Sequence, residues 1–205
     1  MSTKESSKKL TRLQPRSGEG YPVEIQKTAA GKGITSGNVD VSSLPVPDRR
    51  YVADAVGIKL AQDNVRLLFG QASPVDDSWL SILVINMPFE SIKQLLGTLD
   101  AKFREEYATY ASGLISPEIT EFNKKPDQTV VLTASMVYAG YSGTNGCIDF
   151  YYSSPFATQN MSFTNRLMVE PVARVNLPTG LVFALFNGLE SILDKLPKLT
   201  TDFQS

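Results

Sequence analysis

From Tyr51 onward, apolar and polar positions alternate in short runs, and each run points to a strand. Val56, Ile58 and Leu60 alternate with smaller or polar residues, and Val65, Leu67 and Phe69 do the same. A period of two marks half-buried strands. The Gln62-Asp63-Asn64 turn between them makes the pair a hairpin. A third strand is expected from Trp79 to Met87. Its Leu80, Ile82 and Val84 lie on one side and Leu83 and Ile85 on the other, so both faces should be covered. Pro88 then opens a helix, since its missing N–H costs nothing at the first helical position. Ile92, Leu95, Leu96, Leu99, Phe103 and Tyr107 follow at helical spacing on one face. The helix is expected to end between Tyr110 and Gly113.

The second half reads like the first. Val56 placed on Val137 also places Leu67 on Ile148, Phe69 on Phe150, Ser73 on Ser154 and Pro74 on Pro155. The Asp63-Asn64 turn falls on Thr144-Asn145-Gly146, and Asn-Gly is a strong hairpin signal because both residues tolerate positive φ. A longer loop from Phe156 to Thr164 then shifts the offset by nine, so that Asn86-Met87-Pro88 falls on Asn176-Leu177-Pro178. Ile92, Leu95, Leu96 and Leu99 fall on Val182, Leu185, Phe186 and Leu189, in a helix expected from Thr179 to Leu196. The pattern predicts an α+β fold of two tandem β-β-β-α units, forming an antiparallel sheet with two helices on one face. Each unit alone is small for an independent core, so the two should pack together.

Residues 1–50 differ. They are rich in Ser, Gly, Lys, Thr and Pro and poor in large apolar side chains. Such a segment cannot bury enough surface to offset its ordering entropy. It is expected to be a disordered tail that ends in the stiff linker Leu44-Pro45-Val46-Pro47-Asp48. Gly31-Lys32-Gly33 is no phosphate loop, because no apolar strand precedes it and Gly33 stands where a Ser or Thr is needed. The chain thus divides into a tail (1–50), a first unit (51–112), a linker (113–128), a second unit (129–197) and a C-terminal tail (198–205).

Charge sharpens this division. The tail carries nine Lys/Arg against five Asp/Glu, or +4; the rest carries eleven against sixteen, or −5. A basic tail on an acidic body could touch nucleic acid or an acidic partner, but more often such a tail is simply solvated. The tail offers only Tyr21 for stacking on bases, so nucleic acid is a lesser alternative. No apolar run approaches the ~18 residues of a membrane helix, and Met1 to Leu10 lacks the apolar core of a secretory signal. A cytoplasmic protein without a membrane partner is expected.

There is no histidine and a single cysteine, Cys147. The absence of histidine excludes Ser-His and Cys-His catalysis and histidine-ligated zinc. The lone thiol cannot form an internal disulfide, and it reads as a small apolar strand residue. Asp76-Asp77 and Glu105-Glu106 are adjacent pairs whose side chains diverge, so neither makes a converging acid/base dyad. No catalytic, cofactor or metal residue is expected.

Val65-Arg66-Leu67-Leu68-Phe69-Gly70-Gln71, then Ile85-Asn86-Met87-Pro88 leading into Ile92-Lys93-Gln94-Leu95-Leu96, then Glu105-Glu106-Tyr107, form a pattern. It resembles a bacterial domain-of-unknown-function family, the one numbered 3467 (DUF3467). The resemblance covers residues 51–110, with the second unit as a divergent copy that has Phe150-Tyr151 in place of Phe69-Gly70. It implies a small α+β domain and no particular activity, cofactor or catalytic residue.

The aromatic residues suggest contact surfaces. Tyr138, Tyr151, Tyr152 and Phe156 cluster in the second unit, and Trp79 begins the third strand, where it either anchors a partner or, as the favoured reading, closes the core under the preceding loop. Tyr and Phe are enriched at interfaces, although strand packing also uses them. Tyr138 and Tyr151 would face outward from the sheet. The expected function is a non-enzymatic protein-binding or self-assembling scaffold module, acting as a homo-oligomer or on a protein partner through sheet edges. The alternative from another class is a small-molecule site or histidine-free enzyme at the junction of the units, using Lys93, Arg66, Arg174 or Cys147.

Overall fold

The alternating runs are strands, and they divide between two sheets. The computed structural model describes residues 20–27, 37–39, 43–61, 64–73, 78–98, 104–106, 129–164 and 166–193. The first half contains β3 (Arg50–Val52), β4 (Ala55–Leu60), β5 (Asn64–Ala72), β6 (Trp79–Pro88) and α1 (Phe89–Thr98). The second contains β7 (Val130–Thr133), β8 (Met136–Ser142), β9 (Asn145–Tyr152), α2 (Pro155–Thr164), β10 (Arg166–Pro178) and α3 (Thr179–Leu193). Two strands precede both: β1 (Tyr21–Lys27) and β2 (Gly37–Val39).

The class is α+β, with antiparallel hairpins inside each half. One sheet has the order β4-β5-β6-β7; the other runs β2-β1-β10-β9-β8, with β3 also on β10. The two halves do not join through their last strands into a single sheet. A strand has only two edges, and both edges of those strands are taken. β6 lies between β5 and β7, while β10 has β9 on one side and β1 followed by β3 on the other. The inner faces of the two sheets instead share one core with α1 and α3. That core includes Leu67, Phe69, Leu83 and Ile85 from one sheet and Ile148, Phe150 and Val175 from the other. Ile92 and Phe186 represent the two helices in it.

The strands that fill those edges are exchanged. β3 opens the first half but pairs in parallel with β10 of the second, while β7 opens the second half and pairs in parallel with β6 of the first. The registers correspond: Val175 faces Tyr51 as Ile85 faces Leu132, and Asn176 faces Val52 as Asn86 faces Thr133. After each exchanged strand the chain crosses back by the same two hydrogen bonds. Ala53 N–H donates to Asn176 O (2.9 Å) as Ala134 N–H donates to Asn86 O (3.0 Å). Asp54 N–H donates to Gly70 O as Ser135 N–H donates to Tyr151 O, both at 2.9 Å. The bulges match too, at Val172 opposite Phe150 and at Ile82 opposite Phe69.

Three further expectations change. Part of the presumed tail is strand. Tyr21 to Glu24 pair with β10, and Val23 is fully buried against Leu167 and Val169 in a second small core. Residues 1–19, 28–36 and 40–42 lie outside the described set, as do Asp76-Asp77, the linker 113–128 and residues 194–205. The hairpin turn is Gly143-Thr144 rather than Asn145-Gly146, with Gly143 at φ 59° and Ser142 facing Asn145. Gly146 serves packing instead. A Cβ there would lie 2.5 Å from Val182 Cγ2 on α3. Finally, the loop from Phe156 to Thr164 is the helix α2. Ser154 caps it by accepting from Ala157 N–H (3.1 Å), and Pro155 takes the first position.

Candidate binding face on the six-stranded sheet

Strand alternation on β8, β9 and β10 sends one set of residues into the shared core and the other to the far face. Registers place the far-face residues in a row. Tyr138 faces Asp149, Asp149 faces Arg174, and Arg174 faces Arg50 across β8, β9, β10 and β3. The adjoining row is Gly140, Cys147, Asn176 and Val52. Corresponding positions in the other sheet carry Gly57, Leu68, Val84 and Val131, so the polar row belongs to the second half alone.

Asp149 is the hub. Arg174 Nε donates to Oδ1 at 2.6 Å and Nη2 to Oδ2 at 2.5 Å, a two-pronged charge-assisted pair. Both side chains are largely buried, so the pair is shielded from salt. The bond to Asp149 pushes the Arg174 pKa up despite burial. The Tyr151 hydroxyl donates a long 3.4 Å bond to Asp149 Oδ2, and its ring meets that of Tyr138 edge to face at 5.9 Å. Burial first, then the Asp149 charge, pushes the Tyr151 phenol well above its ordinary value, and burial also raises Tyr138. Both hydroxyls therefore stay protonated near neutrality, and that of Tyr151 serves as a donor. Asp149 is held by Arg174 and Tyr151, which is poor preparation for a general base. The arrangement suits recognition: a rigid, locked polar row with the exposed Arg50 at its end and the half-buried Cys147 beside it.

The expected contact residues separate. Tyr151 is only 2% exposed, so it offers no contact surface. It points to the far face, but that end of the face is covered. Met136, directly opposite Tyr151, packs with Leu44 of the incoming chain and Met161 of α2 on the second core. Tyr138 and Tyr152 are half-buried on this sheet, Trp79 is half-buried at the start of β6 in the other sheet, and Phe156 projects from α2. The alternative ligand set also divides. Arg174 and Cys147 share the polar face. Lys93 sits on α1 in a 2.7 Å ion pair with Glu90, and Arg66 is on the outside of the other sheet opposite Asn86.

Glu106 accepts from the Tyr141 hydroxyl, while Arg104 donates to Leu96 O and pairs with Glu190 at 3.3 Å. The 104–106 segment thereby ties the first half to the second. Sequence reasoning passed over Asp149. Its signal was a carboxylate inside the apolar run Cys147 to Tyr152, matched by Arg174 inside the next apolar run.

Among the described residues no group of three or more His, Cys, Asp or Glu could hold a metal ion, and no helix is long and apolar enough to cross a membrane. Comparison with protein-family models, with curated proteins and with solved structures finds no match.

Proposed function

We propose that the chain is a non-enzymatic, self-associating protein-binding module. The observation that carries this reading is how the fold leaves large apolar side chains outside its cores. Single exposed apolar residues are ordinary on a protein surface. Here two aromatic ones, Phe156 and Phe163, share the helix α2, and Val131 stands exposed on β7, which ends its sheet. Such groups, aromatic ones above all, favour contact with another protein surface. Strand exchange between the halves supports the same reading, because edge pairing is already how this chain joins its own parts. The resemblance to the 3467 family implies no activity and leaves this reading to rest on the surface itself. Light scattering of the full chain over a concentration series tests it. An absolute mass that climbs above one chain is expected; one chain at every concentration would sink the proposal.

The second reading is a small-molecule site on the far face of the six-stranded sheet. It is favoured by the convergence of Tyr138, Cys147, Asp149, Arg174 and Arg50. Its ligand would be a small anion drawn to Arg50. Such a compound should raise the thermal midpoint of the wild-type chain and leave that of Arg50→Ala unmoved; equal shifts in both would remove the reading.

A further inference from the structure

The two halves place different chemistry at the same positions. Gly57, Leu68, Val84 and Val131 cross the outer face of the four-stranded sheet, where Tyr138, Asp149, Arg174 and Arg50 cross that of the six-stranded one. An apolar row therefore suffices for the fold. A largely buried ion pair also gains little stability over apolar side chains of similar size. The charges on β9, β10 and β3 call for another reason.

Their balance supplies one. Arg50 lies directly opposite Arg174 on the adjacent strand, and like charges so placed repel. Asp149 offsets only one of the two, by taking Nε and Nη2 of Arg174. Among the described residues Arg50 has no ion-pair partner, and Nη1 of Arg174 has no acceptor. Arg50 is exposed, and the Arg174 side chain is 26% exposed. Two neighbouring guanidinium groups, one already fixed in orientation by Asp149, thus lack a single negative charge.

The surroundings narrow what supplies it. One carboxylate brings the row to neutrality. A phosphate dianion overshoots, beside a body of net charge −5 over residues 51–205. The planar fork of arginine also matches a planar carboxylate. On the Tyr151 side the face is covered by Leu44 and Met161. The open neighbour is the row of Gly140, Cys147, Asn176 and Val52, none of them charged. Val52, 57% exposed, offers apolar surface, and the half-buried Asn176 offers an amide that both donates and accepts.

We propose that Arg50 and Arg174 together clamp the carboxylate of a small organic monocarboxylate, whose uncharged body rests on Val52 and Asn176. The proposal rests on the small-molecule reading above and names its ligand class. Asp149 is a positioning residue: it holds Arg174 by Nε and Nη2 and leaves Nη1 for the ligand. The contact is open to water, so added salt weakens it.

The test is nitrogen–proton correlation NMR of the full chain, titrated with benzoate. Benzamide serves as the uncharged counterpart and inorganic phosphate as the competing oxyanion. Benzoate is expected to shift the Nε–H signals of Arg50 and Arg174 and the amides of Val52 and Asn176 to saturation, and benzamide to shift none of them. Arg50→Gln should weaken benzoate binding roughly tenfold or more. Arg50→Lys keeps the charge without the fork and should recover only part of the loss. Arg50 is exposed, so both variants should keep the remaining signals in place. Phosphate that binds at Arg50 more tightly than benzoate overturns the monocarboxylate and leaves the anion reading standing. Benzoate binding undiminished in Arg50→Gln, or no shift with either benzoate or phosphate, overturns both. Tighter binding of a short oligoglutamate peptide overturns the small ligand in favour of an acidic protein partner.

Discussion

The rings of Phe69 and Phe150 meet edge to face, 5.8 Å between centroids and 68° between planes. They are corresponding residues of the two halves, each opposite its own bulge, and both are fully buried. The contact lies where the inner faces of the two sheets share their core, and it links them directly.

Truncating either ring should therefore weaken the whole molecule. Phe69→Ala and Phe150→Ala are each expected to cost about 3–5 kcal/mol in denaturant unfolding. A double-mutant cycle should return a coupling of about 0.5–1.5 kcal/mol from the edge contact.

Gly146 should resist even a methyl group. The 2.5 Å approach of a Cβ to Val182 Cγ2 predicts a loss of about 1–3 kcal/mol for Gly146→Ala. Adding Val182→Ala should return part of that loss, because the obstructing methyl is then gone. Unfolding midpoints of the single and double variants decide this.

Alkaline solution should unfold the chain in a way that Tyr151 reports. Folding holds its phenol above the ordinary value of 10.0, chiefly by burial and then by the Asp149 charge. Above that value the unfolded chain releases a proton that the folded chain keeps. The unfolded state then binds fewer protons, so stability falls as pH rises. Denaturant midpoints at pH 9 and pH 11 should diverge less in Tyr151→Phe than in the wild type. A remainder is expected from Tyr138, whose phenol is raised as well.

The two crossing amides should be among the slowest to exchange with solvent. Ala53 and Ala134 are fully buried, and each donates to the carbonyl of a corresponding Asn in the other half. Native-state hydrogen exchange should show both opening only with global unfolding. The amide of Thr158, at the start of the exposed helix α2, should exchange much sooner.

Much of the fold was legible because period-two alternation directly reports burial on one face. β4, β5 and β6 follow from Val56 to Met87, and the matched landmarks carry the same arrangement to the second half. What remained hidden depends on edges. Tyr51 and Leu132 lie in runs of only three and four strand residues, too short to show a period, and nothing local says that each will pair with the other half. β1 does carry the alternation, in Tyr21, Val23 and Ile25, but it is one short run inside a polar stretch, and its partner β10 is distant in the chain. The helix α2 did carry local signals in Ser154-Pro155, but its apolar residues do not form the usual buried stripe. Phe156 and Phe163 face outward, so the expected helical pattern fails there. The polar row was half legible: the alternation of β9 gave the face of Tyr151, while the neighbours of Asp149 required the registers.

The exchange of β3 and β7 also constrains how this chain can change over generations. A substitution at Tyr51 is judged not by the half that encodes it but by Val175 across the pairing, and one at Leu132 is judged by Ile85. Neither half can be recombined into another protein as a free-standing cassette without losing the strand its sheet depends on. Their histories are bound together: an innovation in one half survives only where the other accommodates it.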